Sequence, residues 1–306
     1  MLPPEITFIQ RGWFNSNMVL LRGPRGTAVI DTGHLLDQNQ TVDLIRQQGV
    51  EPETIRHIAI THGHSDHHGG NRLLKQLSGA TIGMGATTAA WFARPEHGLL
   101  WADHLGQEMD IVPADVVYQP EQRLDLVGIP FQTIAIPGHA PDALAYYQPD
   151  TQTMICADAV WAGGDVGVLN TAVHGWGILD EAEAAVRRLR SYEVAVALPG
   201  HGGVITDWQG ETAVLLERLA RFRAQPAQLA NHVVRRFLMY ILLRYQPIGR
   251  AELTELALAG PWLRHYAPLC APERTAEQLL TTLLDTFAER GLIRTENGLF
   301  VSQIKR

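Results

Sequence analysis

The chain has 306 residues, 46% of them hydrophobic and 19% charged, with a formal net charge of −7. That length supports one large domain plus a small one, the composition is that of an ordinary soluble globular protein, and the negative balance gives no support to a general nucleic-acid-binding role. The charge is uneven: Asn231 to Arg306 holds 10 lysines and arginines against 7 acidic residues, a net of +3, which leaves −10 for the rest. The two cysteines, Cys156 and Cys270, lie far apart with no C-x-x-C, so no disulfide framework is expected and a reducing cytoplasm is the simple location. Met1-Leu-Pro-Pro-Glu5 has no charged segment leading into an apolar one, so no signal peptide is expected. The apolar run Phe237–Leu243 is too short to span a bilayer and reads as a buried helix.

In chain order, apolar runs at Met18–Leu21 and Thr27–Ile30 around the turn Gly23-Pro-Arg-Gly26 predict a hairpin, which Asp31-Thr-Gly33 ends. Val42, Leu44 and Ile45 predict a helix over 38–48. Ile55–Ile60 predicts a strand, Asn71–Leu77 a helix and 81–85 a short strand. The stretch 86–110 reads as mostly helical, and short strands follow at 116–118, 124–127, 131–136, 143–147 and 153–157. A helix over 181–190, a strand over 194–198 and a helix over 211–224 come next. Strands alternating with helices, with polar residues at the strand ends, predict an α/β fold: a four-layer α/β/β/α sandwich spanning residues 1–224. Composition changes at Gln225-Pro-Ala-Gln228. Beyond it, helical stretches at 229–244, 250–258 and 273–290, then a hairpin turning at Asn297-Gly298, predict a small winged-helix-like C-terminal domain over 229–306.

Seven metal-binding side chains stand at predicted strand ends: His62, His64, Asp66 and His67 in T-H-G-H-S-D-H-H-G-G, then His139, Asp158 and His201. Five imidazoles and two carboxylates suffice for two adjacent divalent ions with room for water. His62 and His64, two apart on an extended segment, face the same way and can share one ion, whereas the adjacent Asp66 and His67 suit a second. His139 and His201 each follow Pro-Gly, which ends a strand and permits a turn, so each ring is expected to be presented rather than buried. Asp158 closes another strand, and a carboxylate there can bridge two cations. Histidine and carboxylate ligands suit zinc, and also iron or manganese.

T-H-G-H-S-D-H at 61–67, P-G-H at 137–139, Asp158, G-H at 200–201 and the early D-T-G at 31–33, in this order, resemble the metallo-β-lactamase fold superfamily over roughly residues 5–215. The resemblance implies that His62, His64 and His139 hold one metal, Asp66, His67 and His201 a second, and that Asp158 bridges them. True metallo-β-lactamases typically lack that bridge, whereas the glyoxalase II, lactonase and RNA-processing branches have it, which points away from antibiotic hydrolysis. The tail resembles the winged-helix tail of LACTB-like, hydroxyacylglutathione-hydrolase-like enzymes. Two departures bear on the substrate: Ala135-Ile-Pro-Gly-His139 stands where lactonases and glyoxalase II commonly show H-T-P-G-H, and glyoxalase II's basic glutathione-binding segment has no clear counterpart.

The expected activity is therefore that of a dinuclear hydrolase cleaving a small ester, lactone or thioester through a metal-bridging hydroxide. Asp66 and Asp158 are the candidate catalytic carboxylates, Asp66 orienting the nucleophile and passing a proton to the leaving group. Asp31 is a candidate acceptor for a ligand N–H. His34, Trp91, Trp101, Trp161 and His174 are candidates for lining the substrate pocket, with Trp91, Phe92, Trp101 and Met109 otherwise the core of a helical insert. His57 and Cys156 are expected to be packed, His68 to neighbour the site, and His97, His104, His232 and His265 to be structural. A phosphodiesterase or ribonuclease on the same metals, and a metal-binding regulatory module without catalysis, are the alternatives. Arg235, Arg236 and Arg244 read as a solvated helix surface, or else as a nucleic-acid face. Winged helices also serve as dimer contacts, so a homodimer is compatible with the tail.

Overall fold

The computed structural model describes residues 2–96 and 98–306. His97, expected to be structural, lies outside the described residues. One sheet has the order β1-β2-β3-β4-β5-β6, built from β1 (Ile6–Ile9), β2 (Met18–Gly23), β3 (Gly26–Ile30), β4 (Ile55–Ala59), β5 (Thr81–Gly85) and β6 (Val116–Tyr118). A second has the order β11-β10-β9-β8-β7, from β7 (Arg123–Leu126), β8 (Ile129–Ala135), β9 (Leu144–Gln148), β10 (Thr153–Ala157) and β11 (Val196–Pro199). The helices of this part are α1 (Gln38–Gln47), α2 (Ser65–His68), α3 (Asn71–Ser78), α4 (Ala86–Ala93), α5 (Ala102–Leu105), α6 (Thr171–His174), α7 (Ile178–Arg190) and α8 (Trp208–Ala224).

The two-residue period of the strands builds the layers. Val19 and Leu21 of β2 face Leu126, Phe131, Tyr146 and Leu198 of the second sheet. Met18 and Leu20 point the other way, toward Val42 and Ile45 of α1 and Leu74 of α3. On the second sheet, Ile134, Ala145, Met154 and Ala197 join Val186 and Leu189 of α7 and Leu215 and Leu219 of α8. Three apolar seams thus separate the four layers of an α/β/β/α sandwich.

Beyond α8 come α9 (Pro226–Tyr245), α10 (Arg250–Ala259), α11 (Pro261–Cys270) and α12 (Ala276–Glu289), with β12 (Ile248–Gly249), β13 (Ile293–Glu296) and β14 (Leu299–Ser302) in the sheet order β12-β14-β13. Several boundaries differ from the sequence reading. The expected break at 225–228 shrinks to Gln225, because Pro226 occupies the first turn of α9, where its missing N–H costs nothing. A fourth helix, α11, falls between Pro261 and an internal Pro268, residues that disguise it as a loop. β1 and α6 are additional to the expected elements, and the described residues of the stretch 86–110 contain only the short helices α4 and α5.

Nor does the core stop where the domain limit was expected. Leu229, Val233, Phe237 and Leu242 of α9, Trp262 of α11 and Leu280 of α12 belong to the same apolar cluster as the outer face of the second sheet. Trp262 is fully buried, its ring centroid 5.6 Å from that of Phe237. Trp262→Ala is expected to cost about 3–5 kcal/mol by leaving a cavity. Because the cluster is shared, thermal unfolding followed by calorimetry should keep one transition at lower Tm; two separated transitions would show two independent cores.

Candidate metal centre

His62, His64, His139, Asp158 and His201 leave the end of a strand or a turn beside one, Asp66 and His67 stand on the short helix α2, and local backbone chemistry aims them. After β3 the chain turns through Asp31, whose φ of 59° is left-handed. After β10 it turns through Ala157, φ 46°, where the pairing with β11 shifts register and releases Asp158 toward the first sheet. A non-glycine residue rarely adopts that conformation without surrounding contacts that hold it there. Gly200, after β11, leaves the room that the Asp158 carboxylate occupies: a Cβ there would lie 2.0 Å from Asp158 Oδ1.

His62, His64 and His139 converge: His62 Nε2 is 3.0 Å from His64 Nδ1, which is 2.7 Å from His139 Nε2. The His139 Nδ1–H donates to the Val168 carbonyl at 2.8 Å, which leaves a lone pair on Nε2 facing the other two rings. Asp66, His67 and His201 form the second group, with His201 Nε2 3.0 Å from Asp66 Oδ2 and His67 Nε2 3.8 Å from it. Asp158 Oδ2 stands between the groups, 3.3 Å from His139 Nε2, 3.6 Å from His67 Nε2 and 3.8 Å from His201 Nε2. Asp31 accepts from His67 Nδ1 at 2.8 Å and from the Thr61 backbone N–H at 2.9 Å, so one buried carboxylate orients the ring and anchors the loop that carries it.

Electrostatics favour cations here. Burial pushes His62, His64 and His139 below the ordinary histidine range, which keeps them neutral with lone pairs available. Burial opposes ionisation of Asp66 and Asp158, yet the surrounding histidines outweigh it and hold both below the usual carboxylate range. Burial also disfavours charge on His67, but Asp31, Asp66 and Asp158 reverse that and raise its pKa. Among the described residues neither Asp66 nor Asp158 pairs with a lysine or arginine. His67 Nε2 is buried without a hydrogen-bond partner among the described residues. An orphaned nitrogen, clustered lone pairs and carboxylates with no lysine or arginine partner fit divalent metal ions. Three groups have ligand atoms mutually within 4.8 Å: His62, His64 and His139; His62, His67 and Asp158; and Asp66, His67 and His201.

Of these ligands, His64, Asp66, His139, Asp158 and His201 floor a cavity of about 560 Å³. Trp101 and Trp161 line it, with the Trp101 ring 4.0 Å from that of His64 and Trp161 Nε1–H donating to Asp158 Oδ1 at 3.2 Å. Three other pocket candidates need correction. His34 is buried behind the wall, its Nε2 3.2 Å from the Tyr240 hydroxyl. His174 sits behind Trp101 and accepts its Nε1–H at 3.1 Å. Trp91 packs on the outer side of the first sheet, since its helix α4 turns that face away from the cavity. Phe92 is buried in the same seam, where its ring meets the buried His68, and Met109 packs against it. Cys156 is buried, its thiol directed at the Val160 carbonyl, and His57 pairs with the Tyr118 hydroxyl. His104, His232 and His265 lie outside the cavity lining.

Sequence reasoning missed other lining residues. Trp13, 45% exposed, stacks on His201 with ring centroids 5.8 Å apart. Phe237, Tyr240 and Arg236 reach the cavity from α9. Arg236 is neither a solvated surface residue nor a free nucleic-acid contact: it pairs with Asp165, donates to the Val166 carbonyl at 2.6 Å and lies 4.5 Å over the Trp161 ring. Arg244 likewise donates to the Gly106 carbonyl at 2.7 Å. The apolar periodicity of α9 marked a buried helix, but no local pattern says what a helix packs against.

The metallo-beta-lactamase superfamily pattern matches residues 11–201, more than half of the chain. The chain belongs to that superfamily. Among curated relatives, the hydroxyacylglutathione hydrolase of Ectopseudomonas mendocina (strain ymp) is 30% identical over 155 residues, 49% of this chain and 50% of that protein. The probable metallo-hydrolase YqgX of Bacillus subtilis (strain 168) is 25% identical over 189 residues, 61% of this chain and 80% of that protein. The chain thus spans about a third to a half of the length of the hydroxyacylglutathione hydrolases it matches. The crystal structure of metallo-beta-lactamase family protein TTHA1429 from Thermus thermophilus shares the fold over 99% of this chain and 100% of its own, at TM-score 0.62 and 19% identity. That likeness of fold takes in the C-terminal helices as well.

Gly200→Ala is expected to leave the far-ultraviolet circular dichroism intact while displacing the Asp158 carboxylate, which should lower the metal content measured on the purified protein. Asp31→Asn should weaken metal retention about 10- to 100-fold in a chelator competition, because His67 loses the acceptor that fixes its ring.

Proposed function

We propose that this chain is a dinuclear metal-dependent hydrolase of a small, apolar acyl ester, lactone or thioester. The position of Asp158 Oδ2 carries the reading: it lies within 3.8 Å of ligand nitrogens from both histidine groups, as a shared carboxylate must. His62, His64 and His139 would hold one ion, Asp66, His67 and His201 the other, and zinc suits this histidine and carboxylate set. Divalent cations bound there supply Lewis acidity and bring the pKa of water toward neutrality.

The chain's own residues have distinct parts to play. Asp66 is the candidate proton carrier: its side chain is 22% exposed, whereas that of Asp158 is 5% exposed, so of the two it is the one substrate can reach. The proton released as water adds to the acyl carbon passes to Asp66 and from there to the departing sulfur or oxygen. Asp158, held by the Trp161 N–H, keeps the two groups in register. Trp13, Trp101 and Trp161 wall the floor and exclude bulk water, which strengthens every charge interaction within. Residues 226–306 act as a cap, because α9 and α12 supply part of the cavity wall.

The hydroxyacylglutathione hydrolases among the relatives support thioester chemistry. The apolar walls suit an acyl group better than a polyanionic strand, and Arg236 is already engaged by Asp165. No helix among the described residues is long and apolar enough to cross a membrane, and with Cys156 and Cys270 unpaired a reducing cytoplasm is the proposed location.

The test is initial rates on metal-quantified protein with an acyl lactone, an aryl ester, an acyl thioester, an aryl phosphodiester and a short single-stranded RNA. Acyl turnover is expected, with Asp158→Asn losing both metal and activity while staying folded. Phosphodiester or RNA cleavage without acyl turnover, weakening steeply with salt, would replace this reading.

A further inference from the structure

The proposal here deepens the acyl-hydrolase reading and rests on it. The cavity has two chemically different ends. Its floor holds Asp66 and the buried Asp158 with their histidines. Above the floor the walls are apolar, with Leu105, Phe237, Leu243, Phe287 and Ile304 contributed from α5, α9, α12 and the C-terminal segment. Three arginines also line it: Arg235, Arg236 and Arg290. Arg236 is spent on Asp165 and the Val166 carbonyl. Arg235 and Arg290 are solvent-exposed, so they stand at the mouth, and among the described residues neither has an ion-pair or side-chain hydrogen-bond partner. They belong to the +3 tail of a chain whose remainder is −10.

We propose that the substrate joins an apolar acyl group to an anionic leaving moiety, and that Arg235 and Arg290 select the anion. The apolar walls take the acyl chain, whose burial drives binding. The scissile carbonyl then reaches the ligand cluster, and the leaving group extends to solvent between two uncommitted guanidiniums. Arginine suits this role because its planar fork matches both carboxylate and phosphate. An anionic acyl end is disfavoured, since it would have to enter the apolar part of the cavity unpaired. Hydrolysis adds the water oxygen to the acyl carbon, breaks the C–S or C–O bond and returns a proton to the leaving thiol or alcohol.

The test uses three hexanoyl thioesters that share the acyl group: of coenzyme A, carrying phosphates; of glutathione, carrying carboxylates; and of N-acetylcysteamine, uncharged. Thiol release is followed on metal-replete full-length protein and on the double variant Arg235→Gln/Arg290→Gln, with circular dichroism to confirm folding. Wild-type protein is expected to prefer an anionic thioester at low salt. The double variant should lower the ratio of anionic to neutral kcat/KM about tenfold, through KM, and added salt should do the same to wild type. Preference for the coenzyme A ester identifies phosphate as the recognised group and preference for the glutathione ester identifies carboxylate; either supports the proposal. Equal turnover of all three, with the ratio unmoved in the variant, would overturn the anion selection and leave the acyl-hydrolase reading intact. Failure to cleave any of the three, while the phosphodiester is cleaved, would overturn both.

Discussion

Five imidazoles and three carboxylates, counting Asp31, are gathered in a space from which most water is excluded. A buried carboxylate is costly unless positive charge or hydrogen bonds compensate it. Here the compensation is partial: Asp31 is satisfied by Thr61 and His67, and Asp158 by the Trp161 N–H and nearby imidazoles. The His67 Nε2 atom is left without a partner, and among the described residues no arginine or lysine bonds to Asp66 or Asp158. The rest of the architecture serves that imbalance, which divalent cations would relieve.

Two sheets are needed to create it. The first delivers Asp31 and the His62–His67 loop, the second delivers His139, Asp158 and His201, and the seam of Leu21, Leu126, Phe131 and Leu198 fixes the distance between them. Two left-handed residues, Asp31 and Ala157, stand where the sheets meet the site, and the surrounding hydrogen bonds hold them: Asp31 N–H to the Ala59 carbonyl at 3.0 Å, and Gly200 N–H to the Ala157 carbonyl at 2.7 Å.

The C-terminal helices turn a surface cleft into a cavity. α9 is the hinge of this arrangement, because one face continues the core of the second sheet and another carries Phe237 and Tyr240 over the ligands. Tyr240 donates to Gln107 at 2.5 Å, which in turn accepts from Ser65 at 2.7 Å, so the cap is hydrogen-bonded to the loop that bears Asp66 and His67. The Trp13 N–H donates to the Lys305 carbonyl at 3.0 Å, which ties the rim of the site to the far end of the chain.

The layered fold, and the convergence of the seven candidate side chains, were legible in the sequence because both depend on short-range rules. A strand's two-residue period reveals which faces are buried, and Pro-Gly or an acidic residue at a strand end marks where the chain presents a side chain. T-H-G-H-S-D-H places four donors within one turn, so their proximity follows from covalent connectivity alone. The pocket wall had no such signature. His34 and His174 stand near site motifs in sequence, yet each is screened by one residue, Tyr240 and Trp101 respectively. Trp13, Arg236 and Tyr240 lie in stretches whose local pattern is that of a loop or an ordinary buried helix. Their roles arise from contacts between segments seventy or more residues apart, as between Arg236 and Val166, Tyr240 and Gln107, or Trp13 and His201. Connectivity sets the order of donors along a strand end, whereas only the docking of α9 and α12 against the sandwich decides what encloses them.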